Sequence, residues 1–269
     1  MNKQISIIGC GWLGLPLAKQ LCSLGYTIKG STTSASKLDE LKSNGIDPYL
    51  ISLDNTLING DVSGFLSGSD TIIINIPPGL RKDPKKNHVS EIQGLVNHIE
   101  QEKITHVLFV SSTSVFEDTN PFTTINDDST PNGTNVNAQQ LIEIEQLLKR
   151  NTHFKTTVIR MSGLFDGERH PAKFLSGRIE LKNGDAPVNL IHKIDAITAI
   201  TTVITNHIWN SSFNLAYPDH PTKQSYYTRT CIDLGIPPPH YATQHLSKGK
   251  FINTTKMVQL LGYSFKGQL

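Results

Sequence analysis

A glycine-rich turn near the start of the chain constrains the fold more than any other feature. A short apolar run at residues 5–8 precedes the spacing Gly-x-Gly-x-x-Gly, formed by Gly9, Gly11 and Gly14. Leucines at helical spacing and a second apolar run follow, so the predicted order is strand, turn, helix, strand. Such a turn lets the backbone approach a pyrophosphate at a helix N-terminus. The motif predicts a dinucleotide-binding domain, and a glycine turn that merely links strand to helix is the alternative.

Strand and helix signals alternate along the first two thirds of the chain. The predicted strands are Ile5–Ile8, Tyr26–Lys29, Pro48–Ser52, Thr71–Ile76, His106–Ser111 and Thr157–Met161. The predicted helices between them are Leu13–Leu24, Ser36–Asn44, Lys85–Glu102 and Ala138–Arg150. This alternation predicts an α/β fold of the Rossmann type, a doubly wound parallel sheet with helices on both faces.

The sequence changes in character after Arg160 and predicts a small C-terminal substrate lobe. Residues 163–184 are rich in loop-forming residues, and shorter strand and helix signals follow at 189–207, 213–216, 222–234 and 254–261. We predict a cofactor-binding Rossmann domain at 1–165, to which 189–215 returns, and a substrate-binding lobe at 166–269. Doubly wound sheets bind ligands at the carboxyl ends of their strands, so the lobe is expected there.

Composition suits a soluble globular enzyme. The 269 residues include 37% hydrophobic residues and carry a formal net charge of +2. This weak basic balance predicts neither nucleic acid nor a membrane as a partner. The three cysteines and ten histidines show no metal-ligand spacing, so no metal site is predicted. Free cysteines and the lack of a signal-peptide pattern predict a cytoplasmic location.

The end of the second predicted strand predicts which dinucleotide is bound. NAD proteins usually place an acidic residue there to hold the adenosine ribose. This chain has no carboxylate before Asp39 and instead offers hydroxyls and a lysine, namely Ser31, Thr32, Thr33, Ser34 and Lys37. These groups suit a 2′-phosphate, and the missing carboxylate removes a repulsion against it. NADP is therefore the predicted cofactor, with NAD as the alternative, although Ser34 or Ser36 would also serve as a helix cap.

Other residues are predicted to border the cofactor because they lie in the glycine turn or at strand ends. They are Trp12, Leu13, Asn75, Ile76, Pro77 and Ser111. Asp54, after the third strand, is predicted either to contact the adenine or to be a turn residue. The basic loop from Gly79 to Lys86 either closes over the cofactor or is a solvated run of charges, and the second explanation is favoured.

The segment Phe109-Val-Ser-Ser112-Thr-Ser-Val-Phe116, together with the glycine turn, resembles the extended short-chain dehydrogenase/reductase family. Residues 158–165 and 189–195 are similar to later landmarks of that family, so the resemblance covers nearly the whole chain. The short C-terminal part is most similar to atypical members that resemble nucleoside-diphosphate-sugar epimerases. The resemblance implies NAD(P)-dependent oxidoreductase or epimerase chemistry on a small polar molecule, such as a sugar nucleotide. It also implies a homodimer formed by the helices at 85–102 and 138–150.

The family's catalytic groups are a serine or threonine, a tyrosine and a lysine. The resemblance places Ser112 at the serine position and Asn137 at the tyrosine position. The lysine position falls on Leu141, or on Gln140 with one residue of slippage. The chain has no tyrosine between residues 49 and 217 and no lysine between residues 103 and 149, so the Tyr-x-x-x-Lys pair is absent.

The missing pair leaves three hypotheses open, because asparagine cannot transfer a proton near neutral pH. Another group supplies the proton, with Tyr226, Tyr227, His192 and His170 as candidates. Alternatively, the reaction needs orientation by Ser112 and Asn137 more than acid/base help. The third hypothesis is a regulatory protein that binds NADPH as a redox sensor without turnover. Arg160 and Asp195 are predicted to have structural roles.

Overall fold

The computed structural model describes residues 4–55, 57–80, 83–262 and 265–266. Its strands are β1 (Gln4–Ile8), β2 (Thr27–Thr32), β3 (Asp47–Leu50), β4 (Ser52–Asp54), β5 (Leu57–Asn59), β6 (Thr71–Ile74), β7 (His106–Ser112), β8 (Thr123–Ile125), β9 (Lys155–Met161), β10 (Gly163–Phe165), β11 (Leu190–His192), β12 (Ser212–Leu215) and β13 (Lys250–Ile252). Its helices are α1 (Gly14–Ser23), α2 (Leu38–Ser43), α3 (Val62–Leu66), α4 (His88–Gln101), α5 (Val136–Arg150), α6 (Pro171–Leu175), α7 (Lys193–Thr205), α8 (Lys223–Asp233) and α9 (Thr255–Leu261).

The central sheet has seven strands in the order β12-β9-β7-β6-β1-β2-β3. The pairs that join β3, β2, β1, β6 and β7 are all parallel. Strand order runs outward from β1 in both directions, so the crevice outside the carboxyl ends of β1 and β6 is the topological switch point. Right-handed crossovers in opposite directions place α1 and α2 on one face and α4 and α5 on the other. The predicted Rossmann-type α/β fold is confirmed.

The middle strands are apolar because helices cover both faces of the sheet. All four residues of β6 are buried, and Ile7 of β1 and Ile73 of β6 have 0% exposure. Burying each such isoleucine stabilises the fold by about 1.5–3 kcal/mol. The buried strands thus fix the positions at which the functional loops leave the sheet.

Three element boundaries differ from the prediction in ways that matter for the site. β2 continues through Ser31 to Thr32, and β6 ends at Ile74, two residues earlier than predicted. α4 begins at His88 rather than Lys85, because Asn87 Oδ1 accepts a hydrogen bond from Ser90 N (3.0 Å) and caps the helix.

The chain forms two compact units. The first unit contains Met1–Ser112, Asn135–Ile159 and Ile197–Ser212, and the second contains Thr113–Thr134, Arg160–Ala196 and Phe213–Leu269. This division differs from the predicted split near residue 165. Thr113–Thr134 falls in the second unit, where its strand β8 pairs with β13. Within the described ranges, no helix is long and apolar enough to span a bilayer, and no cluster of His, Cys, Asp and Glu suits a metal ion.

Candidate functional site

The glycine turn between β1 and α1 has the geometry of a backbone anion site. Gly9 has φ +101°, and a Cβ there would lie 2.3 Å from Asn75 O. A Cβ on Gly14 would lie 2.1 Å from Gly9 O, so neither position accepts a side chain. Gly11 is exposed, and its Cβ position has nothing within 4 Å. The fold therefore requires glycine at two positions, whereas the third opens onto free space.

The N-terminus of α1 carries no anionic group of its own. Leu13 occupies the cap position, where it makes no side-chain hydrogen bond, and the first turn has no acidic residue. The N-terminal end of a helix carries a partial positive charge. In α1 the N–H groups of Leu15 and Leu17 donate to Gly11 O (3.0 Å) and Leu13 O (3.2 Å), so the attraction for an anion comes mainly from the helix dipole. The turn and helix end together form the kind of site that binds a phosphate.

Cys10 lies within this turn but is not a reactive thiol. It is 4% exposed, and burial raises the pKa of its thiol to about 12, although a backbone hydrogen bond at Ser31 acts in the opposite direction. The side chain is therefore neutral at physiological pH and adds no negative charge beside a bound phosphate.

Two polar side chains hold the turn in place from neighbouring strands. Asn75 follows β6, and its Nδ2 donates a hydrogen bond to Gly9 O (3.0 Å). Ser31 in β2 accepts a hydrogen bond on Oγ from Gly9 N (3.2 Å), and its carbonyl accepts one from Cys10 N (2.8 Å). Sequence analysis assigned Asn75 only a backbone contact with the cofactor and therefore missed this role. Ile76 and Pro77 follow Asn75 outside the strand.

The hydroxyls and lysine predicted to hold a 2′-phosphate lie at the end of β2. Ser31 is 2% exposed, and Thr32 Oγ1 accepts a hydrogen bond from Ser34 N (3.2 Å), so both side chains serve the local backbone. Ser34 Oγ and Ser36 Oγ lie 2.9 Å apart. Thr33, Ser36 and Lys37 are exposed and Ser34 is half-buried. The accessible part of the predicted set is therefore Thr33, Ser34 and Lys37, with Ser36 beside them.

The strand end predicted to carry the catalytic serine contains two different serines. Ser111 is 5% exposed and donates a hydrogen bond to Glu145 Oε1 (2.7 Å), a buried carboxylate of α5. Lys149 Nζ lies 3.7 Å from Glu145 Oε2. Ser112 is the last residue of β7 and is half-buried. The Ser111 hydroxyl thus joins β7 to α5, and Ser112 is the more accessible of the two.

The start of α5 shows what occupies the positions of the missing tyrosine and lysine. Asn137 is the second residue of the helix and is half-buried, while Asn135 caps it by accepting a hydrogen bond from Ala138 N (3.0 Å). Leu141 is 3% exposed and belongs to the core. Gln140 hydrogen-bonds to the backbone next to α4. Neither residue is an ammonium donor.

Among the alternative proton donors, the structure brings His170 and Tyr226 together within the second unit. His170 Nδ1 accepts a hydrogen bond from Ala172 N (3.1 Å), which leaves Nε2 to interact with Tyr226 Oη at 3.0 Å. Tyr226 is 2% exposed, and burial raises the pKa of its hydroxyl. Burial lowers the pKa of His170, and the charge of Lys173 lowers it further. Both groups are therefore neutral near pH 7, the form in which the imidazole donates to the phenol.

The other two candidate proton donors, His192 and Tyr227, belong to the same group of aromatic side chains as His170 and Tyr226. The Phe165 ring contacts His170 and His192, with centroids 5.0 and 5.2 Å apart. Tyr227 packs against Tyr226 with centroids 5.0 Å apart, and burial raises its pKa. The contacts of these residues are those of a packed core.

Stability is expected to fall as the pH drops from about 7 to 5, because the folded state lowers the pKa of His170 from 6.5. At a pH between the folded and the unfolded pKa of His170, the unfolded chain binds more protons than the folded chain. The stability that neutral His170 contributes is therefore complete above pH 6.5 and is lost as the pH falls. Urea unfolding across this pH range measures the slope. His170→Gln should reduce the dependence of stability on pH, whereas His240→Gln, at an exposed histidine, serves as the control. An unchanged slope in His170→Gln would show that His170 is not the source of the pH dependence.

The predicted structural roles of Arg160 and Asp195 fit their contacts. Asp195 is 0% exposed and accepts hydrogen bonds from Tyr217 Oη (2.7 Å) and Lys266 N (2.8 Å). Arg160 is 2% exposed, lies over the Phe116 ring at 5.1 Å and donates to the backbone oxygen of Asp127.

Comparisons with known proteins agree with the geometry of the glycine turn. A family model described as NAD(P)H-binding matches residues 9–193. Protein YeeZ of Escherichia coli (strain K12) is 29% identical over 266 residues, which cover 98% of this chain and 96% of that protein.

Solved structures with the same fold include two sugar-nucleotide epimerases. UDP-glucose 4-epimerase from Thermotoga maritima superposes with a TM-score of 0.78 at 16% identity, over 98% of this chain and 94% of that one. UDP-glucuronic acid 4-epimerase from Bacillus cereus, in complex with NAD, gives 0.77 at 15% identity with the same coverage. These likenesses confirm the predicted fold and show that sugar-nucleotide epimerases share it.

Proposed function

Because this chain belongs to the family of NAD(P)H-binding proteins, we propose that it is an NADP-dependent oxidoreductase or epimerase that acts on a sugar nucleotide. The observation that carries the proposal is the glycine turn. Gly9 and Gly14 have no room for a side chain, Gly11 opens onto free space, and no side chain caps the N-terminus of α1. The fold itself requires Gly9 and Gly14, whereas the open space at Gly11 beside the start of α1 suits a bound pyrophosphate.

The end of β2 supports NADP over NAD. Thr33, Ser34, Ser36 and Lys37 offer hydroxyls and an ammonium group, and the nearest carboxylates downstream are Asp39 and Glu40 in the first turn of α2. At this strand end a 2′-phosphate would meet hydrogen-bond donors and no repelling carboxylate. The free 2′-hydroxyl of NAD would have no carboxylate there to accept its hydrogen bond.

The proposed substrate class follows from the neighbours with the same fold. The Thermotoga maritima epimerase was solved with UDP-glucose, and the Bacillus cereus protein acts on UDP-glucuronic acid. Ser112 at the end of β7 and Asn137 at the start of α5 are the groups that we assign to substrate orientation. Neither transfers a proton readily near neutral pH, so the acid/base group is not among them.

A second function is favoured by one observation, the composition of α5. Leu141 is a core residue and Gln140 is engaged with the backbone near α4, so the helix supplies no ammonium group beside Asn137. A protein that binds NADPH and signals its redox state needs no such group.

A turnover assay separates these two functions. The purified protein is incubated with NADP⁺ or NADPH and a panel of UDP-sugars, and products are followed by absorbance at the nicotinamide band and by NMR of the sugar. Conversion that is lost in Ser112→Ala supports the enzyme. Tight NADPH binding without conversion of any panel member supports the regulatory function, and no binding of NADPH or NADH overturns both.

Lys37→Glu is expected to weaken NADPH binding by about 10-fold or more, because it replaces a cation at the 2′-phosphate with an anion. NADH has no 2′-phosphate, so its affinity should change by less than about 3-fold. Fluorescence titration with both cofactors measures the two effects. Lys42→Glu makes the same charge change at an exposed position of α2 and serves as the control. Equal losses for NADPH and NADH would mean that Lys37 does not contact the 2′-phosphate.

A further inference from the structure

A lysine, a glutamate and a histidine form a buried charged cluster at the start of α4. Lys86 Nζ lies 3.1 Å from Glu91 Oε1, and His88 Nδ1 lies 2.8 Å from Glu91 Oε2. The side chains of Glu91 and His88 have 0% exposure, and that of Lys86 has 24%. A buried carboxylate is costly unless it is paired, so the cluster holds Lys86 in place. Lys86 is therefore not part of a solvated run of charges; Arg81 and Lys82 of the same basic loop lie outside the described residues.

The cluster is fixed to α5 and to the segment that leaves β6. Gln140 of α5 accepts a hydrogen bond from His88 N (2.8 Å) and donates one to Lys86 O (3.0 Å). On the other side, a Cβ built on Gly79 would lie 3.5 Å from Lys86 Nζ. Gly79 is four residues beyond Asn75, whose side chain holds the glycine turn. The ammonium group therefore lies beside the backbone that leaves the carboxyl end of β6.

This position belongs to the second half of the doubly wound sheet. The glycine turn and the end of β2 serve the adenosine half of a dinucleotide, and the dinucleotide crosses the switch point between β1 and β6. The backbone that leaves β6 is thus on the side of the nicotinamide nucleotide.

Lys86 also has donor capacity that its protein neighbours do not use. An ammonium group carries three N–H donors. Across the described part of the chain, Glu91 is the partner of this ammonium group at 3.1 Å, which accounts for one of the three donors. His88 Nε2 is buried and has no hydrogen-bond partner among the described residues. The cluster therefore holds a partly exposed cation, with donors beyond the one that faces Glu91, beside Gly79 in the segment that leaves β6.

We propose that Lys86 binds the nicotinamide ribose of the cofactor through its hydroxyl oxygens, and that Glu91 and His88 position its ammonium group. This inference rests on the proposed function, because it needs a bound dinucleotide. Lys86 is the binding residue, and the buried pair acts through it.

The test compares Lys86→Met with Lys85→Met, which removes the same charge from the exposed neighbouring lysine. Affinities are measured for NADPH, for 2′-phospho-ADP-ribose, which keeps the second ribose, and for 2′-phosphoadenosine 5′-diphosphate, which lacks it. Lys86→Met should weaken the first two ligands by about 10-fold and leave the third unchanged, since one charged hydrogen-bond donor is lost. Lys86→Arg should restore part of the affinity, and Glu91→Gln should weaken the same two ligands.

The outcomes separate the inference from the function on which it rests. If Lys86→Met behaves like Lys85→Met, or weakens all three ligands equally, the inference is overturned and cofactor binding still stands. If the unmodified protein binds none of the three ligands, the proposed function fails and the inference fails with it. A thermal unfolding midpoint for each variant shows whether a loss reflects damage to the fold, and a loss confined to the ligands that contain the second ribose excludes that explanation.

Discussion

Replacing Gly11 with leucine is expected to abolish dinucleotide binding while leaving the fold intact. The Cβ position of Gly11 has no protein atom within 4 Å, and the residue is exposed, so a Cβ there meets no part of the chain. The same free space is where the pyrophosphate approaches the backbone. A leucine fills it, and we expect affinity for NADPH and NADH to fall by at least about 100-fold, or about 2.7 kcal/mol.

The matched control is Gly167→Leu, at a second glycine whose Cβ position is open within 4 Å. Both variants should unfold at the same temperature as the unmodified protein, and only Gly11→Leu should lose binding in a fluorescence titration. Unchanged affinity in Gly11→Leu would remove the central claim about the glycine turn. Substitutions at Gly9 or Gly14 are less specific tests of cofactor binding, because a side chain at either position would also clash with backbone atoms of the protein.

The glycine turn was predictable from sequence because its signal is local. The three glycines and the apolar run before them occupy ten consecutive residues, and each glycine has a separate geometric reason. Gly30 shows the limit of such local reasoning. The second strand was predicted to end at Lys29, and glycine usually weakens a strand. A Cβ on Gly30 would lie 2.6 Å from Ile46 Cγ2 and 2.8 Å from Cys10 Sγ, so the strand needs glycine there for packing.

The residues that hold the site together were not predictable, because their partners lie far along the chain. Asn75 reaches back to Gly9, and Gln140 binds backbone atoms of Lys86 and His88, more than fifty residues away. Sequence spacing shows that a polar residue lies at a strand end or on a helix, but not which backbone atom it meets. The basic loop was assigned to solvent because loops are usually polar and exposed, although one of its lysines pairs with a buried carboxylate.

Replacing Arg160 with methionine is expected to lower the free energy of unfolding at pH 7 by about 3 kcal/mol, since it removes a buried guanidinium group that donates to Asp127 O and whose charge favours the ionised Asp127 carboxylate. Burial raises the pKa of Asp127, while a hydrogen bond from Asn214 N and the charges of Lys256 and Arg160 act in the opposite direction. Without the guanidinium group the pKa of Asp127 rises further, and the stacking of Arg160 on Phe116 is also lost.

The pH dependence separates the charge interaction from packing. A carboxyl group with a raised folded pKa contributes stability that is complete below its unfolded pKa of 3.8 and is lost as the pH rises through the folded value. The cost of Arg160→Met should therefore grow between pH 4 and 7, as measured by urea unfolding. Asp127→Asn should remove most of that growth in a double-mutant cycle, with exposed Arg150→Met as the control. An equal cost at both pH values and in both backgrounds would show that Arg160 stabilises this unit through packing alone.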